Sequence, residues 1–223
     1  MSATQPERPD LRAVDGRVPG RRGRATRERL LRCAGDLLEK TSYRDLTVID
    51  IAQCAGTSPA TFYQYFPSVE EAILDLAASL VPEGARLAAM IEGSDWQGRA
   101  AEATALELVD AFLDLWEEHR TVLRVVDLAT AEGDNRFANV RTHLVSQVTD
   151  ALREVVSRFR KEGAHPRSLD PRAQAAALVS MLAHVAAHRW GFEFWGIRID
   201  GMRESVARIV ATSVTGRQQE AER

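Results

Sequence analysis

The stretch Thr47–Phe66, TVIDIAQCAGTSPATFYQYF, leaves this chain little choice of local structure. Val48, Ile51, Ala52 and Ala55 fall at offsets of 0, 3, 4 and 7, which is one face of a helix. Thr47 can accept a hydrogen bond at that helix's start. Gly56 follows, a residue that adopts the left-handed backbone of a helix stop at little steric cost. Ser58 can then cap a second helix, and Pro59 suits its first turn, where no intrahelical N–H is needed. Phe62 and Phe66, four apart, give that helix a buried side. Small Ala52 and Ala55 let the two helices cross closely. The spacing therefore predicts a helix-turn-helix, a unit that sets its second helix in the DNA major groove.

The pattern TVxDIAxxAGxSxxTFYxYF, followed by SxEEAIL, resembles the DNA-binding domain of TetR-family transcriptional regulators over about Arg24–Leu80. Beyond it the resemblance is architectural only: several helices, no strand and no motif. It implies an all-α chain with an N-terminal three-helix DNA-binding domain and a C-terminal helical effector-binding and dimerisation bundle. It also implies contact with bases or phosphates at Pro59, Ala60, Thr61 and Tyr63, and with the DNA backbone at Thr47 and Tyr65. Ser58 joins this set as the cap of the reading helix. Thr61 can donate to phosphate or base and present a methyl to thymine, and the two tyrosines can donate hydroxyls to phosphate. Two departures stand out. The lysine frequent in the family after the YF turn is Val69 here, and a frequent glycine is Ala60.

Charge agrees with this polarity. Met1–Pro67 carries 11 basic and 8 acidic residues, the remainder 18 and 24, within a net charge of −3. A basic first segment on an acidic body suits nucleic acid at one end. Arg21, Arg22 and Arg24 belong to an arginine cluster, with Arg12, Arg17, Arg27, Arg29 and Arg32, before and inside the first helix. Guanidinium groups can grip phosphate or enter a narrow minor groove. Met1–Gly23, rich in Pro, Gly and Arg, reads as a flexible tail. The head is expected over 24–67, the helical body over 68–215, and a polar tail over 216–223.

Inside the head, Leu30, Ala34, Leu37, Leu38, Leu46, Ile51, Ala52, Phe62 and Phe66 form the expected core, with a first helix from about Thr26 to Lys40. Ser68 and Glu71 form an S-x-x-E capping signal for a fourth helix. Pro82 and Gly84 predict a kink or break near Val81–Gly84. Cys33 and Cys54 lie on predicted helices and read as buried free thiols, with a redox pair as the alternative. No apolar run is long enough to span a bilayer, so a cytoplasmic protein without a membrane partner is expected.

In the body, Phe112, Trp116, Phe137, Phe159, Met181, Trp190, Phe194 and Trp195 are apolar candidates for an effector cavity, and Asn135, His143, His184 and His188 are polar ones. Periodicity alone says only core, and favours packing over pocket wall for any one of these aromatics. The resemblance implies a small effector that loosens binding to a palindromic double-stranded operator, and an apolar or amphipathic ligand fits this lining. The last two helices, one rich in alanine and one striped by Met202, Val206, Ile209, Val210 and Val214, are the expected homodimer face. Repression is a family expectation. A metal-dependent bundle enzyme is the rival reading. His184 and His188 are four apart, but no Glu-x-x-His, phosphate loop or nucleophile motif joins them, so no enzyme, metal or cofactor is expected. A third reading keeps the head only as an interaction surface without specific DNA binding.

Overall fold

The computed structural model describes residues 20–216, which form ten helices and no strand among the described residues. The helices are α1 (Arg21–Leu38), α2 (Val48–Cys54), α3 (Pro59–Tyr65), α4 (Val69–Ala78), α5 (Val81–Gly93), α6 (Ala100–Glu118), α7 (Arg120–Ala131), α8 (Asn135–Lys161), α9 (Pro171–Phe194) and α10 (Ile199–Thr215). The all-α architecture is the expected one. Two compact units emerge: one spans the chain through Leu80 together with Thr121–Val140, the other Val81–Arg120 and the chain from Arg141 onward.

In the first unit, α1 packs on α2 and α4, and α2 on α3. Leu30, Ala34, Ile51, Ala52, Phe62, Ala72, Ile73 and Ala77 are fully buried there. Helix α1 begins at Arg21, ahead of the expected start near Thr26, so Arg21, Arg22 and Gly23 are helical and Gly20 is the N-cap. Leu37, expected in the core, is only half-buried. Arg27 of α1 is buried and ion-paired with Asp75 of α4 at 2.7 Å, and its guanidinium stands 5.1 Å from the Phe66 ring centre.

In the second unit, α6 packs on α5, α9 and α10. Arg203 of α10 grips Asp110 of α6 with two parallel bonds of 2.5 and 2.6 Å. The connection from α4 to α5 breaks at Ser79–Leu80, just before the expected place, and Pro82 then sits in the first turn of α5, where it lacks no helical bond. Gly84 does not interrupt α5. It is buried there, where a Cβ would meet the carbonyl oxygen of Leu144 on α8 at 2.1 Å. The loop after α5 is pinned by Trp96, fully buried, whose indole N–H donates to the Ile91 carbonyl at 3.0 Å. Asp170 caps α9 with Pro171 at its first position, as the sequence predicts.

The two cysteines are not free thiols: Cys33 on α1 and Cys54 on α2 are paired as a disulfide, with their Cα atoms 5.8 Å apart. Periodicity places both on helices but cannot give the distance between those helices. No described helix is long and apolar enough to cross a membrane.

Candidate nucleic-acid interface

Both ends of α2 and the start of the reading helix, α3, are fixed by short-range chemistry. Thr47 Oγ1 accepts from the Asp50 amide at 3.2 Å, and Asp50 Oδ2 accepts from the Thr47 amide at 3.3 Å, a reciprocal capping box at the start of α2. Gly56 has φ +61° and ends that helix in the left-handed region. Ser58 Oγ accepts from the Thr61 amide at 3.2 Å and shares a 3.0 Å hydrogen bond with the Thr61 hydroxyl, while Pro59 occupies the first helical position.

Phe62 and Phe66, buried with ring centres 5.5 Å apart, then set the rotation of α3. That rotation leaves Ser58, Pro59, Ala60, Tyr63 and Gln64 exposed and Thr61 and Tyr65 half-exposed. Tyr63 stands edge-on to Phe62 at 5.8 Å and is 52% exposed, so its hydroxyl is presented to solvent by a ring anchored on the core. Thr47 is exposed at the start of α2. Arg21, Arg22 and Arg24 are exposed on the first turn of α1. Arg12 and Arg17 lie outside the described residues. The sequence-predicted set from α2 and α3 is thus brought to the outside of one small unit.

Val69 is buried as the first residue of α4. The position where the family often carries a cation is here part of the core. Ile49 was not among the expected residues, yet it is 64% exposed on the first turn of α2, two residues from Thr47. The signal lay in the sequence: a large aliphatic off the stripe of Val48, Ile51, Ala52 and Ala55.

A charged corner lies in the same unit. Arg136 pairs with Glu71 at the start of α4 and with Asp134 at 2.7 Å, and Arg44 pairs with Glu132. Hydrogen bonds from Arg136 hold the Asp134 carboxyl below its ordinary range, and the same bond pushes the guanidinium higher still. Burial, then Glu70 and Asp134, push the Tyr43 phenol up, with Arg136 acting against them.

Of the expected effector residues, Phe112 and Trp116 stack with ring centres 5.9 Å apart, and Phe112, Trp116 and Phe159 are buried in the second unit. The Trp116 indole N–H is buried without a hydrogen-bond partner. Met181 and His143 are half-buried. Phe137 is fully buried but belongs to the first unit. His184 and Trp190 are exposed. His184 stacks on His188 at 4.2 Å, while Trp190 lies between Arg120 and Arg189, whose guanidinium carbons are 5.4 and 4.5 Å from its ring centre. Among the described residues no group of three or more His, Cys, Asp or Glu is placed to hold a metal ion.

Comparison with known proteins agrees with this architecture. Residues 30–76 match the family described as "Bacterial regulatory proteins, tetR family", and residues 87–221 match "Tetracyclin repressor-like, C-terminal domain". The HTH-type transcriptional regulator EthR of Mycobacterium tuberculosis is 26% identical over 187 residues, covering 84% of this chain and 86% of EthR. The fatty acid degradation regulator FadR of Bacillus halodurans shares the fold with a TM-score of 0.63 at 16% identity, over 83% of this chain and 94% of that one. FadR of Bacillus subtilis, solved in complex with stearoyl-CoA, does so with a TM-score of 0.63 at 14% identity, over 83% and 98%. A capped, core-anchored reading helix at one end and a helical body matched over most of its length make this chain a member of the TetR family of DNA-binding transcriptional regulators.

Proposed function

We propose that this chain is a cytoplasmic, homodimeric repressor that reads a palindromic operator and is released from it by an amphipathic effector with a long apolar part. The observation that carries the reading is the exposed edge of Thr47, Ser58, Pro59, Ala60 and Tyr63, held by a helix whose opposite side, Phe62, is fully buried. Pro59 and Ala60 offer shape and apolar contact; Thr61, Tyr63 and Tyr65 offer hydroxyls to phosphate or base. Arg21, Arg22 and Arg24 supply the positive charge that α3 lacks.

A palindrome requires a two-fold partner. The end of α9 and one side of α10 expose Trp190, Phe194, Trp195 and Ile209, with Phe194 88% and Trp195 71% exposed. Large apolar side chains left open here, three aromatics at the end of α9 and Ile209 on α10, support a second copy of the chain as their cover. His184 and Trp190 are assigned to this face rather than to the effector cavity.

Phe112, Trp116, Phe159, Met181 and His143 remain the proposed effector lining. The unpartnered Trp116 indole supports a ligand carrying a hydrogen-bond acceptor, such as an acyl carbonyl. FadR of Bacillus subtilis in complex with stearoyl-CoA gives that ligand class a precedent within the same fold. Release requires that the effector bind the DNA-incompetent arrangement better, and a coupling of about 1–3 kcal/mol is ordinary.

The test is selection of genomic fragments by the purified chain at about 150 mM salt, beside a Tyr63→Ala variant. The expected outcome is a palindrome enriched by the wild type alone, with acyl-CoA esters of increasing chain length then titrated for release. Enrichment of no sequence by the wild type removes the reading. Sedimentation showing only a species of 24.7 kDa removes the dimer.

A further inference from the structure

A disulfide links the first two helices of the DNA-reading head. Cys33 lies in the middle of α1 and is 6% exposed, whereas Cys54 is the last residue of α2 and faces solvent. The two are paired, and their Cα separation of 5.8 Å lies where a disulfide forms without backbone movement. Arg29, one turn before Cys33, donates from Nε to the carbonyl of Ala55 at 2.8 Å. A guanidinium group is thereby held at the residue next to Cys54. One open sulfur, with a buried sulfur within bonding reach behind it, is the arrangement of a peroxide-reactive cysteine and its resolving partner.

We propose that Cys33 and Cys54 form a reversible thiol–disulfide site that responds to hydroperoxides. The Cys54 thiolate attacks a peroxide oxygen. An S–O bond forms, the O–O bond breaks, and the leaving oxygen takes up a proton as water, or as an alcohol from an organic peroxide. The Cys33 thiolate then attacks the sulfenic Cys54 sulfur. The S–S bond forms, the S–O bond breaks, and hydroxide leaves and is protonated to water. Two thiols lose two electrons in total, and the peroxide gains them. Thiol–disulfide exchange with a dithiol reductant returns the pair to its thiols.

The link closes the loop from residue 33 to residue 54 across α1 and α2. With it in place, the Thr47–Asp50 box and the Ser58–Thr61 cap are both formed. Oxidation therefore stiffens the head and spares its reading edge, and the linked protein keeps its operator. Retention of the operator by the linked protein rests on the proposed DNA-reading function.

The experiment uses the full chain, reduced with dithiothreitol, desalted and titrated with hydrogen peroxide. Both thiols should be lost per chain, with a monomer-sized band on a non-reducing gel. The melting temperature should rise by about 5–10 °C. Dithiothreitol should reverse all three changes without denaturant. Cys54→Ser should leave Cys33 unreactive, and Cys33→Ser should leave a sulfenic acid on Cys54 that dimedone traps. Thiols that survive peroxide, a link between chains, equal thiol loss in Cys54→Ser, or a bond that opens only in denaturant would each overturn the proposal. Because Cys54 is at the surface, Cys54→Ser keeps the test decisive even if Cys33→Ser folds poorly. Thiol counts do not depend on DNA, so a failure of operator binding is distinguishable from a failure of this site.

Discussion

The Cβ that Gly84 lacks would stand 2.1 Å from the carbonyl oxygen of Leu144, so α5 and α8 cross backbone against backbone. Neither atom belongs to a side chain that could swing away. Gly84→Ala should therefore destabilise the chain by about 1–3 kcal/mol, despite the better helix propensity of alanine. In a thermal melt this is a drop of several degrees. Gly201→Ala in α10, where nothing lies within 4 Å, should be neutral or slightly stabilising and serves as the control.

Arg27 and Asp75 form the second constraint, with side chains only 10% and 13% exposed. Removing one partner leaves the other charge buried and unpaired. Asp75→Ala should cost about 3–5 kcal/mol, and the double change Arg27→Met with Asp75→Ala should recover much of it. Urea unfolding of the three variants measures both effects. A double variant no better than the single one would mean that Arg27 acts through packing on Phe66 instead.

The reading edge makes a separable prediction. Tyr63→Phe removes one exposed hydroxyl while keeping the ring against Phe62. It should weaken operator binding by about 3–10-fold, the equivalent of roughly 1 kcal/mol, with helicity unchanged. Replacing Arg21, Arg22 and Arg24 with Gln should lower the slope of log affinity against log salt by about one for each phosphate no longer neutralised. Titrations at several salt concentrations read both outcomes.

The Asp134–Arg136–Glu71 corner predicts an acid limb. The folded state keeps Asp134 ionised below the ordinary carboxylate value of 3.8, chiefly through its hydrogen bond from Arg136. As pH falls, the unfolded chain takes up that proton first. The stabilisation is therefore complete above the ordinary value and disappears as pH drops through the lower folded one. Melting temperatures between about pH 5 and pH 2 should fall more steeply for the wild type than for Asp134→Asn, the two curves converging at the acid end.

What could be read from residues alone was what short-range chemistry determines. Thr47, Gly56, Ser58–Pro59, Ser68 and Asp170–Pro171 each dictate a helix end within a few residues, and each stands where the spacing put it. Gly84 was not legible, because an interrupting glycine and a glycine at a close crossing look alike until the second helix is present. The cysteine pair was hidden for the same reason: both helices were predicted, but not the span between them. Trp190 and His184 were effector-cavity candidates whose exposure depends on the rotation of α9, a helix whose apolar residues do not keep to one side. Of the stripe expected on the last helix, Val206, Val210 and Val214 are buried within the chain itself, whereas Ile209 lies 47% exposed at its margin.

The reading helix, PATFYQY, holds no ionisable group except two phenols, and the buried Val69 adds none beside it. A probe without formal charge gains little from an arbitrary stretch of duplex, where attraction is almost wholly electrostatic. Its preference for the right site rests on fit: thymine methyls, groove width and a few hydroxyls. On the proposed contacts, the general hold on phosphate falls to the exposed arginines that open α1, so attraction to any duplex and choice among duplexes are carried by different helices and can be altered one without the other.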